Sequence, residues 1–294
     1  MIIPMGQADK ILILGARGNL GGQLMRVLGN NYRLICWDHE DLDITNRNEV
    51  NKKIYEVKPN IIINTAAYNA VDKCEEVPEE YQKAKLLNGD AVGFIADAAL
   101  SVNSLFIHYS TDYVFAGDKQ TGYAEKDEPH PISKYGETKL LGERELELRA
   151  RNSLKYYLIR TSKLFGPKGE SDMAKPNFFD IMLKKSETVD RLDIVNEEVS
   201  AFTYTFDLAC ATKELIEAKH KFGIYHITNN GVYTWFEAAQ ELFKLLKKDI
   251  ILNPIASANY PRPAKRPVFS ILLNTKLKPQ RKFIEALRDY VELL

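Results

Sequence analysis

A parallel, doubly wound α/β sheet is the fold class that three features of the sequence predict. Short runs that are apolar on both faces, such as Ile11–Leu14 and Ile61–Asn64, alternate with stretches whose apolar residues recur at helical spacing. The first run ends in a glycine-rich turn, Gly15-Ala-Arg-Gly-Asn-Leu-Gly-Gly22, from which a helical pattern starts. The alternation holds as far as Lys155–Arg160 and then gives way to a mixed pattern beyond Gly166-Pro167. Strands buried on both faces and linked through helices form right-handed βαβ units. The expected fold is therefore a Rossmann-type doubly wound parallel sheet with a smaller C-terminal lobe for substrate.

The elements follow in order. Ile11–Leu14 is a strand, and Leu20, Leu24, Val27 and Leu28 mark the helix after the glycine turn. A second strand, Tyr32–Trp37, ends at Asp38, and Asn46 with Glu49 has the spacing of a capping box that starts a helix. Ile61–Asn64 is the third strand, a long helical stretch runs from about Pro78 to Ala99, and Ser104–Thr111 is the fourth strand. A loop leads to a helix carrying Tyr135, and Lys155–Arg160 is the next strand. Further on, helices are expected at Phe178–Lys185, Tyr204–Ala218, Trp235–Lys247 and Arg281–Leu293, with strands near Leu192–Val195 and Phe222–Thr228 and a proline-rich loop at Pro261–Pro267. Residues 1–167 with about 196–226 are assigned to dinucleotide binding, and about 168–195 with 227–294 to the substrate lobe.

At 294 residues the chain can bury a large core, and its 45% hydrophobic and 27% charged content is that of a soluble globular protein. Zero formal net charge points away from nucleic acid or an anionic membrane as partner. Cys36, Cys74 and Cys210 are odd in number and dispersed, which suits neither a disulfide framework nor a zinc knuckle. The five histidines show no short ligand spacing, so no metal is expected. Met1–Gln7 lacks the basic segment and apolar core of a signal peptide, and no apolar run approaches the roughly 20 residues that span a bilayer. A cytoplasmic protein is expected, with a homodimer as one assembly the chain allows.

Gly15, Gly18 and Gly21, set between a strand and a helix, allow a tight turn and a close approach of backbone to a pyrophosphate at the helix N-terminus. Asp38, ending the second strand, can accept hydrogen bonds from an adenosine ribose, whereas Arg17 inside the turn can pair with a 2′-phosphate. The two signals oppose each other, so NADH and NADPH both remain open. Tyr135 and Lys139 lie at i, i+4 on one helix face, with the ammonium expected to lower the phenol pKa. Thr111, at the end of the preceding strand, offers a hydroxyl to the same substrate oxygen. Tyr81 and Lys85 share the four-residue spacing but precede that strand, and so fail the positional test.

With these residues in view, the chain resembles the extended short-chain dehydrogenase/reductase superfamily, and within it the dTDP-4-dehydrorhamnose reductase family. The resemblance runs through Gly15–Gly22, Asp41–Thr45, Asn64–Lys73, His108–Phe115, Tyr135–Lys139, Arg160–Ser162, Gly223–Thr228 and Arg262–Ser270, nearly the whole chain. It implies cofactor contacts at Gly18, Asn19, Leu20, Asp38, Asp43, Ile44, Ala66, Ala67 and Tyr68, with Tyr135 and Lys139 also touching the cofactor. Asp43 could equally close a polar turn before the next helix, and Ala66 and Ala67 could serve close packing at a strand end. The resemblance further implies Thr111, Tyr135 and Lys139 as the catalytic set, with Thr111, Asp112 and Tyr113 on a nucleotide-sugar substrate. Two departures lie on the substrate side. Lys163 stands where the family has a tryptophan that contacts substrate, and Glu197-Glu-Val-Ser-Ala-Phe-Thr203 replaces a typical Asp-Gln-x-Gly-x-Pro-Thr. The Lys163 ammonium could pair with the substrate diphosphate or an acidic sugar substituent, or reach solvent while another side chain replaces the lost aromatic.

The implied activity is NAD(P)H-dependent reduction of a nucleotide-linked 4-keto-6-deoxy sugar, dTDP-4-dehydrorhamnose to dTDP-rhamnose foremost. Two alternatives share the scaffold. One is a nucleotide-sugar epimerase or dehydratase, although the dehydratases usually place a paired acid after the threonine, where this chain has Asp112 and Tyr113. The other is a non-catalytic regulatory subunit resembling the methionine adenosyltransferase beta subunit, against which the intact Tyr135 and Lys139 argue.

Overall fold

The computed structural model describes residues 9–294; Met1–Gln7, on which the signal-peptide expectation rests, lies outside the described residues. In chain order the first half comprises β1 (Lys10–Leu14), α1 (Asn19–Leu28), β2 (Arg33–Trp37), α2 (Arg47–Val57), β3 (Ile61–Asn64), α3 (Val71–Glu76), α4 (Pro78–Lys85), α5 (Ala91–Ser101), β4 (Leu105–Thr111), α6 (Lys134–Ala150) and β5 (Tyr156–Thr161). There follow β6 (Leu164–Phe165), α7 (Phe178–Lys185), β7 (Arg191–Val195), β8 (Thr203–Tyr204), α8 (Thr205–Glu217), β9 (Gly223–His226), α9 (Trp235–Leu246), β10 (Ile251–Ile255) and α10 (Phe283–Val291).

Six strands make one parallel sheet in the order β2-β1-β3-β4-β5-β9. The order reverses between β1 and β3, the switch point at which doubly wound sheets bind ligands beyond their carboxyl ends. Ile11 and Ile13 with Ile61 and Ile63 pack one face against Leu20, Leu24 and Leu28 of α1 and Leu208 and Leu215 of α8. Leu12, Leu14 and Ile62 pack the other face against Val50 and Ile54 of α2 and Val92 and Ile95 of α5. Because successive side chains of a strand point to opposite faces, a strand covered on both sides must be apolar throughout, which is why these runs do not alternate.

A third core fills the C-terminal part. Phe165, Phe179, Phe202, Tyr204 and Phe283 interlock there, Phe165 meeting Phe179 edge-on at 5.1 Å between ring centres. Two small parallel pairs, β7 with β10 and β6 with β8, frame this core. Neither β6, β8 nor β10 shows in the sequence as a strand, because two-residue strands are too short for periodicity and Pro254 interrupts the third. The short α3 was likewise not expected.

Two local expectations change. The Asn46 side chain accepts from the Glu49 amide at 3.2 Å, but Glu49 turns to Lys53 at 2.9 Å, so half of the capping box forms. The long helix from Pro78 divides at Leu86–Asp90 into a wider π-helical turn. That turn swings Asn88 inward, where it accepts from the Tyr68 amide at 2.9 Å and donates to the Tyr68 carbonyl at 2.8 Å and the Thr138 hydroxyl at 3.0 Å. Such turns commonly serve a site, and here one side chain ties the segment after β3 to the helix that carries Tyr135.

Candidate active site

The carboxyl ends of β1, β3 and β4 and the N-termini of α1 and α6 converge at one edge of the sheet. Gly15 adopts φ 75°, and a Cβ there would come within 2.8 Å of the Ala66 nitrogen. A Cβ at Gly21 would lie 2.3 Å from the Gly15 carbonyl oxygen, so α1 can seat against the turn only with glycine at that position. Gly18 is the N-cap of α1 and offers no side-chain cap, and the first turn carries no acid. The first amides of α1 therefore remain free to meet an anion. This backbone cradle, closed by Ala66 at the end of β3, fits a dinucleotide pyrophosphate.

Asp38 follows β2 and is largely buried. Its carboxylate accepts from the Arg17 amide at 3.1 Å and from the backbone and ring nitrogens of His39 at 2.9 and 2.7 Å. Burial opposes ionisation, yet these donors together hold Asp38 below its ordinary pKa. The Arg17 guanidinium reaches Glu40 at 2.7 Å in an exposed pair. Asp43 takes the polar-turn arrangement, accepting from the Thr45 amide at 2.9 Å and hydroxyl at 2.7 Å just before α2. Leu20 and Ile44 are buried in the cores on opposite faces of the sheet. Ala66 donates its amide to Asn64 at 3.1 Å, next to the exposed Ala67, and Tyr68 is held by Asn88.

A segment not singled out from sequence also touches the turn. Residues 167–175 fold back over α1, with the Gly169 amide donating to the Asn19 side chain at 3.0 Å and the Ser171 amide to the Arg17 carbonyl at 2.9 Å. Asn19 in turn donates to the Lys175 carbonyl at 3.2 Å. A Cβ at Gly169 would meet the Arg17 oxygen at 2.3 Å, so the glycine was the available signal. A cavity of about 210 Å³ lies between strap and turn, lined by Arg17, Gly18, Asn19, Pro167 and Lys168 among others.

Thr111 ends β4 and caps the short turn Asp112–Val114, accepting from the Tyr113 amide at 3.2 Å and donating to Asp112 at 3.1 Å. Ser133 caps α6 by accepting from Gly136 at 3.2 Å. A Cβ at Gly136 would lie 2.2 Å from the Tyr113 carbonyl oxygen, so the first turn of α6 rests directly on the turn after β4. That contact brings Tyr135 beside Thr111, and the Tyr113 and Tyr135 rings meet edge to face at 6.0 Å.

The electrostatics differ from expectation. Burial, reinforced by the Asp112 charge, pushes the Tyr135 phenol well above its ordinary range, with the Thr111 hydroxyl acting the other way. Lys139 does not lower it: the ammonium donates to the Tyr109 carbonyl at 2.6 Å. Burial brings Lys139 itself down to about 8, opposed by Glu143 one turn further along α6. Glu143 pairs with Arg160 of β5 at 2.7 Å, both fully buried, which pins the back of α6 to the sheet. Tyr81 instead points its hydroxyl at Glu137, 3.3 Å away on the outer side of α6.

On the substrate side, Asp112 is buried and accepts from Ser270 at 2.6 Å. Burial raises its pKa and lowers that of Lys163, each opposed by the charge of the other. Lys163 does not run out to solvent: its ammonium donates to the Glu198 carbonyl at 3.1 Å and sits 4.2 Å from the centre of the Trp235 ring. Glu198 lies in the Glu197–Thr203 stretch that departs from the family pattern and Arg262 opens the stretch Arg262–Ser270 that matches it, but their joining to Trp235 and Lys163 is made only by the fold.

Comparisons with known proteins agree over the whole described chain. A family model described as the RmlD substrate binding domain matches residues 9–294. A dTDP-4-dehydrorhamnose reductase of Aggregatibacter actinomycetemcomitans is 38% identical over 283 residues, covering 92% of each chain. A Streptomyces antibioticus protein named as a probable dTDP-4,6-dihydroxy-2-methyloxan-3-one 4-ketoreductase is 35% identical, covering 95% of this chain and 93% of the relative. Among solved structures, the dTDP-4-dehydrorhamnose reductase of Bacillus anthracis in complex with NADP superposes with a TM-score of 0.90 at 30% identity, covering 98% of this chain and all of the other.

Proposed function

The chain belongs to the family of the RmlD substrate binding domain, and we propose that it is an NAD(P)H-dependent reductase of a nucleotide-linked 4-keto-6-deoxy sugar, converting dTDP-4-dehydrorhamnose to dTDP-rhamnose. The observation that carries this reading is the seating of α6 on the turn after β4. It sets the Tyr135 and Thr111 hydroxyls side by side, at the sheet edge that also bears the glycine cradle. In this division of labour, residues 1–167 with about 196–226 hold the dinucleotide, and about 168–195 with 227–294 hold the sugar.

The reduced dinucleotide, when bound, supplies a hydride to the carbonyl carbon. Thr111 and Tyr135 donate hydrogen bonds to the carbonyl oxygen, and Tyr135 passes its proton to that oxygen as negative charge develops. A phenol pushed up by burial is fully protonated at neutral pH and so always ready to donate. Asp112, one residue from Thr111, adds a negative charge that disfavours the tyrosinate relative to the phenol. Lys139, on the same helix face as Tyr135 and donating to the Tyr109 carbonyl, would hold the ribose of the bound dinucleotide. Gly18, Asn19 and Leu20 would hold the pyrophosphate through backbone amides, and Asp38 and Arg17 the adenosine ribose.

Purified protein should consume reduced nicotinamide when given dTDP-4-dehydrorhamnose. Conversion of a nucleotide sugar with no net cofactor consumption would indicate an epimerase or dehydratase instead, and tight cofactor binding with no turnover a regulatory subunit. No helix of the described residues is long and apolar enough to cross a membrane, and all three cysteines are free, which supports a reducing compartment such as the cytoplasm. Sedimentation would distinguish a monomer from the homodimer that the chain allows.

A further inference from the structure

The two places where the chain leaves the reductase pattern, Lys163 and Glu197–Thr203, come together in space. Lys163 donates to the backbone carbonyl of Glu198 at 3.1 Å and lies 4.9 Å from the centre of the Phe202 ring. Trp235, 4.2 Å from the ammonium, meets Phe202 edge-on at 5.2 Å between ring centres, so the two rings form adjacent walls along one side of the ammonium. The indole is held in place by donating its N–H to Glu198 at 2.9 Å, and Arg262 pairs with the same carboxylate.

These bonds leave the Lys163 ammonium incompletely served. The side-chain oxygens of Glu198 are spent on Trp235 and Arg262, and those of Asp112 on Thr111 and Ser270. Among the described residues Lys163 forms no ion pair, and one carbonyl accepts one of its three donors. A half-buried ammonium beside two adjacent aromatic faces, with donors to spare, can offer them to an acceptor from outside the chain. Its backbone is also held at φ 39°, a conformation that disfavours any side chain but glycine, so the position keeps a lysine at some conformational cost. Asp112, whose charge acts on Lys163 most strongly after burial, directly follows Thr111. Thr161, two residues before Lys163, is also the register partner of Thr111 on the neighbouring strand, so the unspent donors lie at the same sheet edge as the Thr111 hydroxyl.

Resting on the reductase reading, we propose that Lys163 determines specificity by donating a charge-assisted hydrogen bond to the sugar hydroxyl next to the carbonyl, at C3 of the 4-keto sugar. Trp235 and Glu198 position the ammonium. Where the family places an indole against the substrate, this chain places a cation that is backed by Trp235 and Phe202. A site built around a donor rejects a ligand lacking the acceptor far more strongly than an apolar wall does, because the buried donor would be left unpaired.

The test compares dTDP-4-dehydrorhamnose with its 3-deoxy analogue in wild type, Lys163→Met and Lys163→Arg. Wild type should prefer the 3-hydroxy sugar in kcat/KM by roughly 10–100-fold, the range for a hydrogen bond to a charged group. Lys163→Met should lose that preference, mainly through KM, with cofactor affinity unchanged, and Lys163→Arg should retain part of it. Equal use of both sugars by wild type overturns the inference while leaving the reductase reading intact, and it needs no variant to fold. A Lys163→Met enzyme that still discriminates overturns it as well. Absence of turnover on either sugar despite cofactor binding would bring down both readings together.

Discussion

The cofactor edge and the substrate side of this molecule are built on different principles. At the cofactor edge, recognition is done by backbone: Gly15, Gly18 and Gly21 leave out side chains so that amides can approach a ligand, and a Cβ at Gly21 would sit 2.3 Å from a carbonyl oxygen. The substrate side instead presents a cluster of side chains, Asp112, Lys163, Glu198, Trp235, Arg262 and Ser270, drawn from separate stretches of the chain apart from Arg262 and Ser270, which share the one between β10 and α10. A backbone cradle tolerates little change at its tightest points, since a Cβ at Gly15 or Gly21 would come within 2.8 Å or less of neighbouring backbone. A side-chain cluster can exchange one member for another as long as its partners accommodate the change, and Lys163, set against Phe202 and Trp235, has that character. The two regions meet at Thr111 and Tyr135.

The sharpest test of where they meet is removal of the proton donor. Tyr135→Phe should lower kcat by roughly 10²–10⁴-fold, about 3–5 kcal/mol of barrier, with dinucleotide affinity nearly unchanged. Tyr81→Phe should leave the rate alone, because its hydroxyl faces Glu137 outside the cleft. Steady-state kinetics on both variants decide it, and equal losses would mean that Tyr135 does not hold the special position assigned to it.

The link between the regions should be next in size. Asn88→Ala leaves the Tyr68 amide and carbonyl without their partner inside the protein, while the Thr138 hydroxyl loses a donor but keeps the Tyr135 carbonyl as acceptor. Unpaired buried groups cost about 1–3 kcal/mol each to leave, with relaxation reducing the sum, so denaturant unfolding should show a loss of about 2 kcal/mol. Cofactor affinity should fall as well, since Tyr68 follows Ala66 and Ala67. Unchanged stability would show that water replaces the asparagine without cost.

Lys139 gives a pH-dependent version of the comparison. Its folded pKa, lowered to about 8 by burial, means that the ammonium is present below that value and is lost as pH rises through it. If the charged form grips the ribose, kcat/KM for the dinucleotide, which reports the free enzyme, should fall about tenfold for each unit above roughly pH 8. A profile flat to pH 10 would exclude the charged lysine from cofactor binding.

Legibility in the sequence divides along the same line. The sheet could be read because strands covered on both faces are continuous apolar runs, and the glycine turn because its function demands a local spacing. Tyr135 and Thr111 could be singled out from the order of elements alone. The π-helical turn at Leu86–Asp90 could not, since a one-residue widening leaves the helical period nearly intact; the polar Asn88 amid apolar neighbours was the faint trace of it. The direction of the Tyr135 shift was misjudged because a four-residue spacing places Lys139 on the same helix face but does not say which acceptor it chooses, and the Tyr109 carbonyl takes it. Lys163 was visible as a departure, whereas its partners Glu198, Trp235 and Arg262 are adjacent only after folding.

The smallest expected effect concerns the outer end of the cofactor edge, where side chains return. Arg17 lies on the glycine turn and pairs with Glu40 in an exposed contact of 2.7 Å, of a kind worth little to stability. Such a guanidinium can leave Glu40 for a 2′-phosphate at small cost, and phosphate would gain a charge-assisted bond. Asp38 is less free to turn away: its oxygens are held by the Arg17 amide and by His39, and its charge would oppose a phosphate placed beside it. Arg17→Ala should therefore weaken NADPH several-fold and NADH hardly at all, with thermal stability unchanged, while Asp38→Ala should weaken NADH more than NADPH. Dissociation constants for both dinucleotides on both variants are the measurement. If the NADPH-to-NADH ratio stays fixed in each, neither side chain reads the 2′ position, and cofactor recognition at this edge is a matter of backbone to its end.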